Sequence, residues 1–436
     1  MKVALLSPIA WRTPPRHYGP WERVVSLLCE GLVEKGVEVT LFATKDSWTR
    51  GRLKAICPAP YEEDKSIEPK VWECLHIAYL FEQAGEFDLI HNHFDFLPLS
   101  YSRLVDTPLV TTIHGFSSPR ILPVYQRYAD RSHYVSISDA DRHPSLNYIA
   151  TVYHGIDLQS FSFQPRVGDY LLYFGRIHPD KGTAEAIRIA RAFKMKLIIA
   201  GIIQDAGYFE QEVAPHLDGQ CIAYVGSVGP RDRDRLLGGA YALIHPIAFA
   251  EPFGLSVVEA MACGTPVVAF ARGSMPEVIK DGETGYLVET VEEAVEALAR
   301  IPDIDRHSCR SWVEERFSQE RMVNDYLAVY EKALELEAGR RRTRRQAWGD
   351  EELVCDGPNH RVFRLTIKPG KGLLWQTDAS RTHHLVVVQG SVDISTDPVN
   401  MNLCQGDHAV LPPGLSVKIQ NAGAHPSVVI VTGTSH

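Results

Sequence analysis

Two doubly wound α/β domains followed by a small antiparallel β-barrel are predicted by three features of this sequence. Short apolar runs alternate with helix-length amphipathic segments through the first 300 residues. That pattern restarts once, near residue 169. Beyond residue 350 it gives way to short alternating strands broken by Pro-Gly and Asn turns.

In the first domain the expected strands are 2–8, 38–44, 88–93, 108–115, 133–138 and 149–157. Several are apolar on both faces, as parallel strands covered by helices on either side must be. Residues 21–36 predict a helix, with Val24, Leu27, Leu28 and Leu32 on one stripe and Gly36 as its stop. The restarted pattern gives strands at 169–176, 195–201, 221–228, 242–247, 266–271 and 284–288, with helices at 182–193 and 291–300 between them. A hinge is expected near 160–169, and 312–338 reads as one long amphipathic helix. The arginine-rich stretch at 337–346 reads as a solvated linker between unlike segments. After it come "HRVFRLTIKPG", "HHLVVVQGSVDIS", "DHAVLPPGLSVKIQN" and "PSVVIVTG" as barrel strands.

Composition narrows the function classes. A chain of 436 residues with 45% hydrophobic and 23% charged residues is an ordinary globular protein, long enough for several cores. A net charge of −9 supplies no general attraction for nucleic acid or anionic membrane, so an anion site must be built locally. The eight cysteines are scattered without a C-x-x-C pair, which fits reduced thiols rather than a zinc ribbon or a disulfide framework. "MKVALLSP" stops at a proline and reads as a buried strand, not a signal peptide, and a cytoplasmic location is expected.

Two stretches carry chemistry. In "YLLYFGRIHPDKG" a strand and a glycine turn precede Arg176 and Lys181, and a helix follows. A planar guanidinium fork and a compact ammonium there, beside the positive end of a helix, suit phosphate oxygens. In "AEPFGLSVVEAMACG" Glu251 lies in a loop after a strand, and Glu259 lies about one and a half turns into the next helix. A carboxylate accepts two hydrogen bonds from vicinal hydroxyls, so the acids suit sugars, a ribose for Glu259. The N–H groups of Phe253, Gly254 and Leu255 at the helix start can hold a diphosphate.

Through "GPWERVV" (19–25), "TTIHG" (111–115), "YHGID" (153–157), "GRIHPDKG" (175–182) and "EPFGLSVVEAMACGTPVV" (251–268), residues 1–335 resemble the retaining family-four glycosyltransferases of the GT-B fold. The resemblance implies an N-terminal Rossmann-like acceptor-side domain (1–163) and a nucleotide-sugar-binding domain with a closing helix (164–336). A basic linker (337–349) and a cupin-like barrel (350–436) would follow. It implies that Arg176 and Lys181 bind the donor diphosphate, that Glu259 holds the ribose, and that Glu251 contacts the transferred hexose near its anomeric carbon. His114 would touch that sugar from the N-terminal domain, and the Gly19 loop would touch phosphate or acceptor. Pro20 stands where the family has a second glycine, and proline has no N–H to give. The implied reaction is front-side transfer of a hexosyl group with retention, from a UDP- or GDP-hexose to a sugar or lipid-linked acceptor, without metal or other cofactor.

Other patterns point less directly. His91, His93 and Asp95 in "IHNHFD" have the residue types of metal ligands but read as scaffold. The D-x-D in "RDRDR" (231–235) reads as the solvated start of a helix. Residues 355–432 resemble the cupin domain of type II mannose-6-phosphate isomerases, through "IKPGKGLLWQ", "RTHHLVVVQGSVDI" and "LPPGLSVKIQN". Against that family's ligand set Gln376 and His384 match, while Val417 occupies a late ligand position, which implies a barrel without a working metal site. Such a barrel is expected to serve homodimerisation, acceptor positioning or small-ligand binding. Two rival readings remain open: a retaining disaccharide phosphorylase of the same fold, and a non-catalytic sugar sensor that uses the barrel.

Overall fold

The computed structural model describes residues 1–116, 118–357, 359–396 and 399–434. They form two compact units, residues 1–333 and 334–436.

The first unit contains two parallel sheets. One has the order β3-β2-β1-β4-β5-β6-β7, from β1 (Lys2–Leu6), β2 (Glu38–Phe42), β3 (Arg52–Lys54), β4 (Leu89–Asn92), β5 (Leu109–Ile113), β6 (His133–Ser136) and β7 (Tyr148–Thr151). The other has the order β10-β9-β8-β11-β12-β13, from β8 (Tyr170–Phe174), β9 (Lys196–Ala200), β10 (Ile222–Tyr224), β11 (Ala242–His245), β12 (Val267–Phe270) and β13 (Gly285–Val288). Strands β4, β5, β6, β11 and β12 are buried at every residue, the signature of strands sandwiched between helices.

Strand order decides where a ligand can bind. Each sheet winds one way from its first strand and then begins again beside it, so the switch points fall between β1 and β4 and between β8 and β11. Loops leaving the carboxyl ends of such a strand pair turn in opposite directions and leave a crevice. The loops after β1, β5, β8 and β11 carry Gly19, His114, Arg176 with Lys181, and Glu251 respectively.

Three segments differ from expectation. The strand expected over 149–157 ends at Thr151, because residues 153–157 leave the sheet and Ile156 forms a bridge with Ser318. The single helix expected over 312–338 is two, Arg306–Arg316 and Gln319–Arg342. Phe317 lies fully buried between them, edge-on to the rings of Phe253, Tyr153 and Trp312 at 5.7–6.4 Å. Burying that ring contributes about 2–3 kcal/mol, and backbone groups freed at the break pair with Ile156 instead, which donates to the Phe317 carbonyl and accepts from the Gln319 N–H, both at 2.9 Å. The second helix then packs on the N-terminal half: Gln319 donates to the carbonyl of Leu27, on the helix 20–34, at 2.8 Å, and the fully buried Tyr326 and Tyr330 reach Thr112 and His91 of the sheet.

The stretch expected as a linker, 337–349, is ordered. The helix runs to Arg342, and β14 (Thr343–Gln346) pairs with β15 (Gly349–Asp356), placing Arg344 opposite Glu351 and Arg345 opposite Asp350. Opposite charges across an antiparallel ladder support the pairing, a reason invisible in a run read only as basic. The side chains of residues 340–342 lie outside the described set.

The second unit is antiparallel. Its six-stranded and four-stranded sheets face each other over Leu365, Ile367, Trp375, Leu385, Val387, Val417 and Ile419. Alternation along the strands puts Leu373, Trp375, His383 and Leu385 inward, so Gln376 and His384 lie exposed on the outer surface. The two residues matched to the isomerase ligand set therefore cannot share an interior metal site. They are one position out of phase, and a one-residue slip reverses every side chain of a strand.

Candidate functional site

A cavity of the first unit lies between its two sheets and has a volume of about 390 Å³. Gly19, His114, Arg176, Lys181, Glu251, Phe253, Gly254, Leu255 and Glu259 all line it. Nine residues spread over 240 positions of sequence thus meet in one cleft, brought there by the two switch points.

The turn around Glu251 is built from backbone constraints. Gly254 adopts φ +90°, and a Cβ there would meet Met275 Cε at 2.6 Å, so only glycine lets the chain reverse into the helix Leu255–Ala262. Among the described residues the amide N–H groups of Phe253, Gly254 and Leu255 have no protein acceptor, which leaves them for a ligand. Across the cleft Gly19 has φ +142° and precedes Pro20, the first residue of helix α1 (Pro20–Glu34). A Cβ on Gly19 would lie 2.8 Å from Pro15 Cβ.

Charges in the cleft are arranged in pairs. Lys181 Nζ lies 2.5 Å from Glu251 Oε2, with the two side chains only 14% and 11% exposed. The ammonium also lies 4.5 Å from the centre of the Phe249 ring. Burial by itself would raise the Glu251 carboxyl, but His245, with Nε2 at 3.6 Å, and Lys181 outweigh it and hold it down to about 2. Arg233 Nη1 donates to Glu259 Oε1 at 3.0 Å, and that pair is buried as well. Arg176 donates to Gln204 and lies 3.9 Å from Asp180.

His114 and His154 on the opposite wall head a chain of four buried histidines. His154 Nε2 lies 3.3 Å from His114 Nδ1, His114 Nε2 lies 2.9 Å from His93 Nδ1, and His93 Nε2 lies 3.2 Å from His91 Nδ1. His91 is anchored by Tyr330 Oη at 2.7 Å and Thr112 Oγ1 at 2.8 Å. Burial, reinforced for His91, His93 and His114 by the neighbouring imidazoles, holds all four rings neutral, with His154 down to about 3. The nitrogens of His91 and His93 are thus occupied by protein groups. Asp95 lies apart from them, accepting the Tyr125 hydroxyl. His114 lines the cavity with Trp21 stacked on it at 5.2 Å, but both its nitrogens are engaged by other histidines.

The glycosyltransferase family 4 profile matches residues 21–160, the glycosyl transferases group 1 profile matches 161–316, and the mannose-6-phosphate isomerase C-terminal profile matches 335–434. The chain belongs to the glycosyltransferases of the GT-B fold. A glycogen synthase of Mycobacterium tuberculosis is 26% identical over 335 residues, covering 64% of this chain and 80% of that one. Sucrose-phosphate synthase from Thermosynechococcus elongatus superposes with a TM-score of 0.64 at 19% identity, over 77% of this chain and all of that one. Anabaena HepE in complex with UDP-glucose superposes with a TM-score of 0.58 at 18% identity, over 76% of this chain and all of that one. Among the described residues of this glycosyltransferase no helix is long and apolar enough to cross a membrane.

The structure adds cavity residues that the sequence reading passes over: Tyr18, Arg23, His154, Arg233 and His245. Arg233 corrects an expectation. "RDRDR" does begin a helix, Pro230–Gly238, but Arg233 is only 8% exposed and faces the cleft, not water. The signal was present, since Arg233, Leu236 and Leu237 have the i, i+3, i+4 spacing of a buried helix face.

Glu22, on the first turn of α1, is buried behind this wall and accepts the Trp11 N–H at 3.2 Å. Burial pushes its carboxyl up from 4.5 to about 7, against weaker hydrogen bonds from the backbone. An acid whose pKa is higher in the folded state costs stability as pH rises above its unfolded value, and the full cost is reached above the folded one. Glu22→Gln, which keeps the acceptor oxygen, should therefore stabilise the glycosyltransferase by about 2–3 kcal/mol at pH 8 and by nothing at pH 4. Urea melts at both pH values measure this, and equal midpoint differences at the two would refute it.

Proposed function

We propose that this glycosyltransferase moves a hexosyl group from a nucleoside-diphosphate sugar to the hydroxyl of a sugar or lipid-linked acceptor, with retention at the anomeric carbon and without a metal. The observation that carries this reading is the convergence of Arg176, Lys181, the helix-start amides at 253–255 and the two carboxylates on one cleft. Such a set serves a diphosphate flanked by a ribose and a hexose. The complex of HepE with UDP-glucose, a protein of the same fold, supports the donor class.

In this reading Arg176, Lys181 and the amides of Phe253, Gly254 and Leu255 hold the diphosphate and stabilise the charge that develops on it as the glycosidic bond breaks. Glu251, held ionised by Lys181 and His245, accepts hydrogen bonds from hexose hydroxyls. The acceptor hydroxyl passes its proton to the departing phosphate on the same face of the sugar, which preserves the anomeric configuration. Glu259 keeps Oε2 for the ribose while Oε1 takes Arg233.

Thermal melts with UDP, GDP and ADP test the donor class and name the base, since a ligand that binds only the folded state raises the midpoint. The sugar nucleotides of the stabilising base are then tested for turnover. The anomeric configuration of the product is read by NMR, and turnover is expected to be unchanged in EDTA. Phosphorolysis of a disaccharide without nucleotide-sugar turnover would replace this reading with the phosphorylase one.

A further inference from the structure

Five cations line the cleft: Arg16, Arg23, Arg176, Lys181 and Arg233. Arg16 is paired with Asp46 and Glu63, Lys181 with Glu251, and Arg233 with Glu259. Arg176, 3.9 Å from Asp180, already belongs to the proposed donor site. Arg23 is left. Among the described residues its guanidinium forms no ion pair, and its one hydrogen bond is from Nη2 to the His17 carbonyl at 3.2 Å. Its surroundings oppose it: burial and the nearby Arg233 charge both push the guanidinium's pKa down, and Glu259, already committed to Arg233, offsets them only in part. An arginine keeps its charge even so, and a half-buried cation facing another cation without a counter-ion is costly. An anionic ligand would supply the missing counter-charge.

Its location says which ligand. Arg23 is the fourth residue of α1 and belongs to the N-terminal sheet's side of the cleft, whereas Arg176, Lys181 and the 253–255 amides all belong to the other. Pro20, at the start of the same helix, has no N–H to offer a phosphate. We infer that Arg23 binds a diphosphate oxygen of the donor across the cleft, supplying from a side chain the contact that Pro20 removes from the backbone and clamping the nucleotide between the two domains. This rests on the reading of the cleft as a donor site.

The test is calorimetric titration of the full chain and of Arg23→Gln with UDP, GDP and ADP, and with the corresponding nucleosides. For the diphosphate that the wild type binds, Arg23→Gln should raise Kd roughly tenfold or more and flatten its salt dependence, while nucleoside affinity stays unchanged. Arg23→Lys, which keeps the charge but loses the fork, should fall between the two and serves alone if the glutamine variant does not fold. Equal diphosphate affinity in wild type and variant would overturn the inference while leaving the donor site standing. So would an equal loss for the nucleoside, or a loss confined to acceptor KM. If the wild type binds none of the three diphosphates, the reading of the cleft falls, and the inference falls with it.

Discussion

A Lys181→Met, Glu251→Gln double variant should recover most of the stability that either single variant loses, and should remain inactive. The reason lies in the pair's geometry. With Nζ and Oε2 2.5 Å apart and both side chains nearly out of solvent, either substitution alone leaves a buried charge facing a neutral group. Breaking such a pair from one side costs about 3 kcal/mol, whereas replacing both members with neutral groups of similar size removes the desolvation cost together with the attraction. Catalysis follows a different rule. If Lys181 stabilises the leaving diphosphate and Glu251 orients the hexose, each single variant loses transfer by a factor on the order of 10²–10³, and the double variant restores none of it. The sign of the pH dependence is fixed too. The Glu251 carboxyl is held down, so the pair's contribution is complete above the ordinary carboxylate pKa of 4.5 and is lost as pH falls toward about 2. Denaturant melts of the four proteins, together with single-turnover rates, separate the two effects. A double variant that transfers at near-wild-type rate would remove this pair from the chemistry.

Much of this was legible in the sequence because the signals were local and redundant. Strand, glycine and basic residue followed by a helix start mark Arg176 and Lys181 without any knowledge of partners, and Glu251 and Glu259 flank a glycine turn that only one residue type can make. The two Rossmann-like domains follow from the restart of an apolar alternation that solvent exclusion on both sheet faces imposes. What stayed hidden depends on long-range pairing. Arg233 reads as one more solvated charge until Glu259, 26 positions away, is seen to hold it at 3.0 Å. Tyr330 reads as part of a simple amphipathic helix, yet it anchors His91 across 239 positions. The break at Phe317 and the charge pairing of Arg344 and Arg345 with Glu351 and Asp350 are likewise products of contact, not composition. In the barrel the type of fold was legible but the phase was not: two consecutive histidines, His383 and His384, offer no local sign of which one faces inward.

The second large effect is expected at Glu259. Its Oε1 is committed to Arg233, and both side chains are at most a tenth exposed, so the carboxylate is fixed in place before any ligand arrives. Arg233 is itself held by the face of the Phe161 ring, 4.9 Å from its guanidinium carbon. A preformed acceptor of this kind gains fully from a ribose hydroxyl, because no rotamer has to be ordered on binding. Glu259→Ala should therefore weaken binding of the cognate nucleoside diphosphate roughly a hundredfold and lower stability by about 3 kcal/mol, since it leaves Arg233 buried and unpaired. Stability loss alone would not identify the role, and sugar-modified nucleotides do. Wild type should bind the 2′,3′-dideoxy form of the same diphosphate ten- to a hundredfold more weakly than the parent, and Glu259→Gln, which keeps the shape and one acceptor, should largely lose that preference. If the variant discriminates as strongly as wild type, Glu259 does not read the ribose, and its pairing with Arg233 is structural.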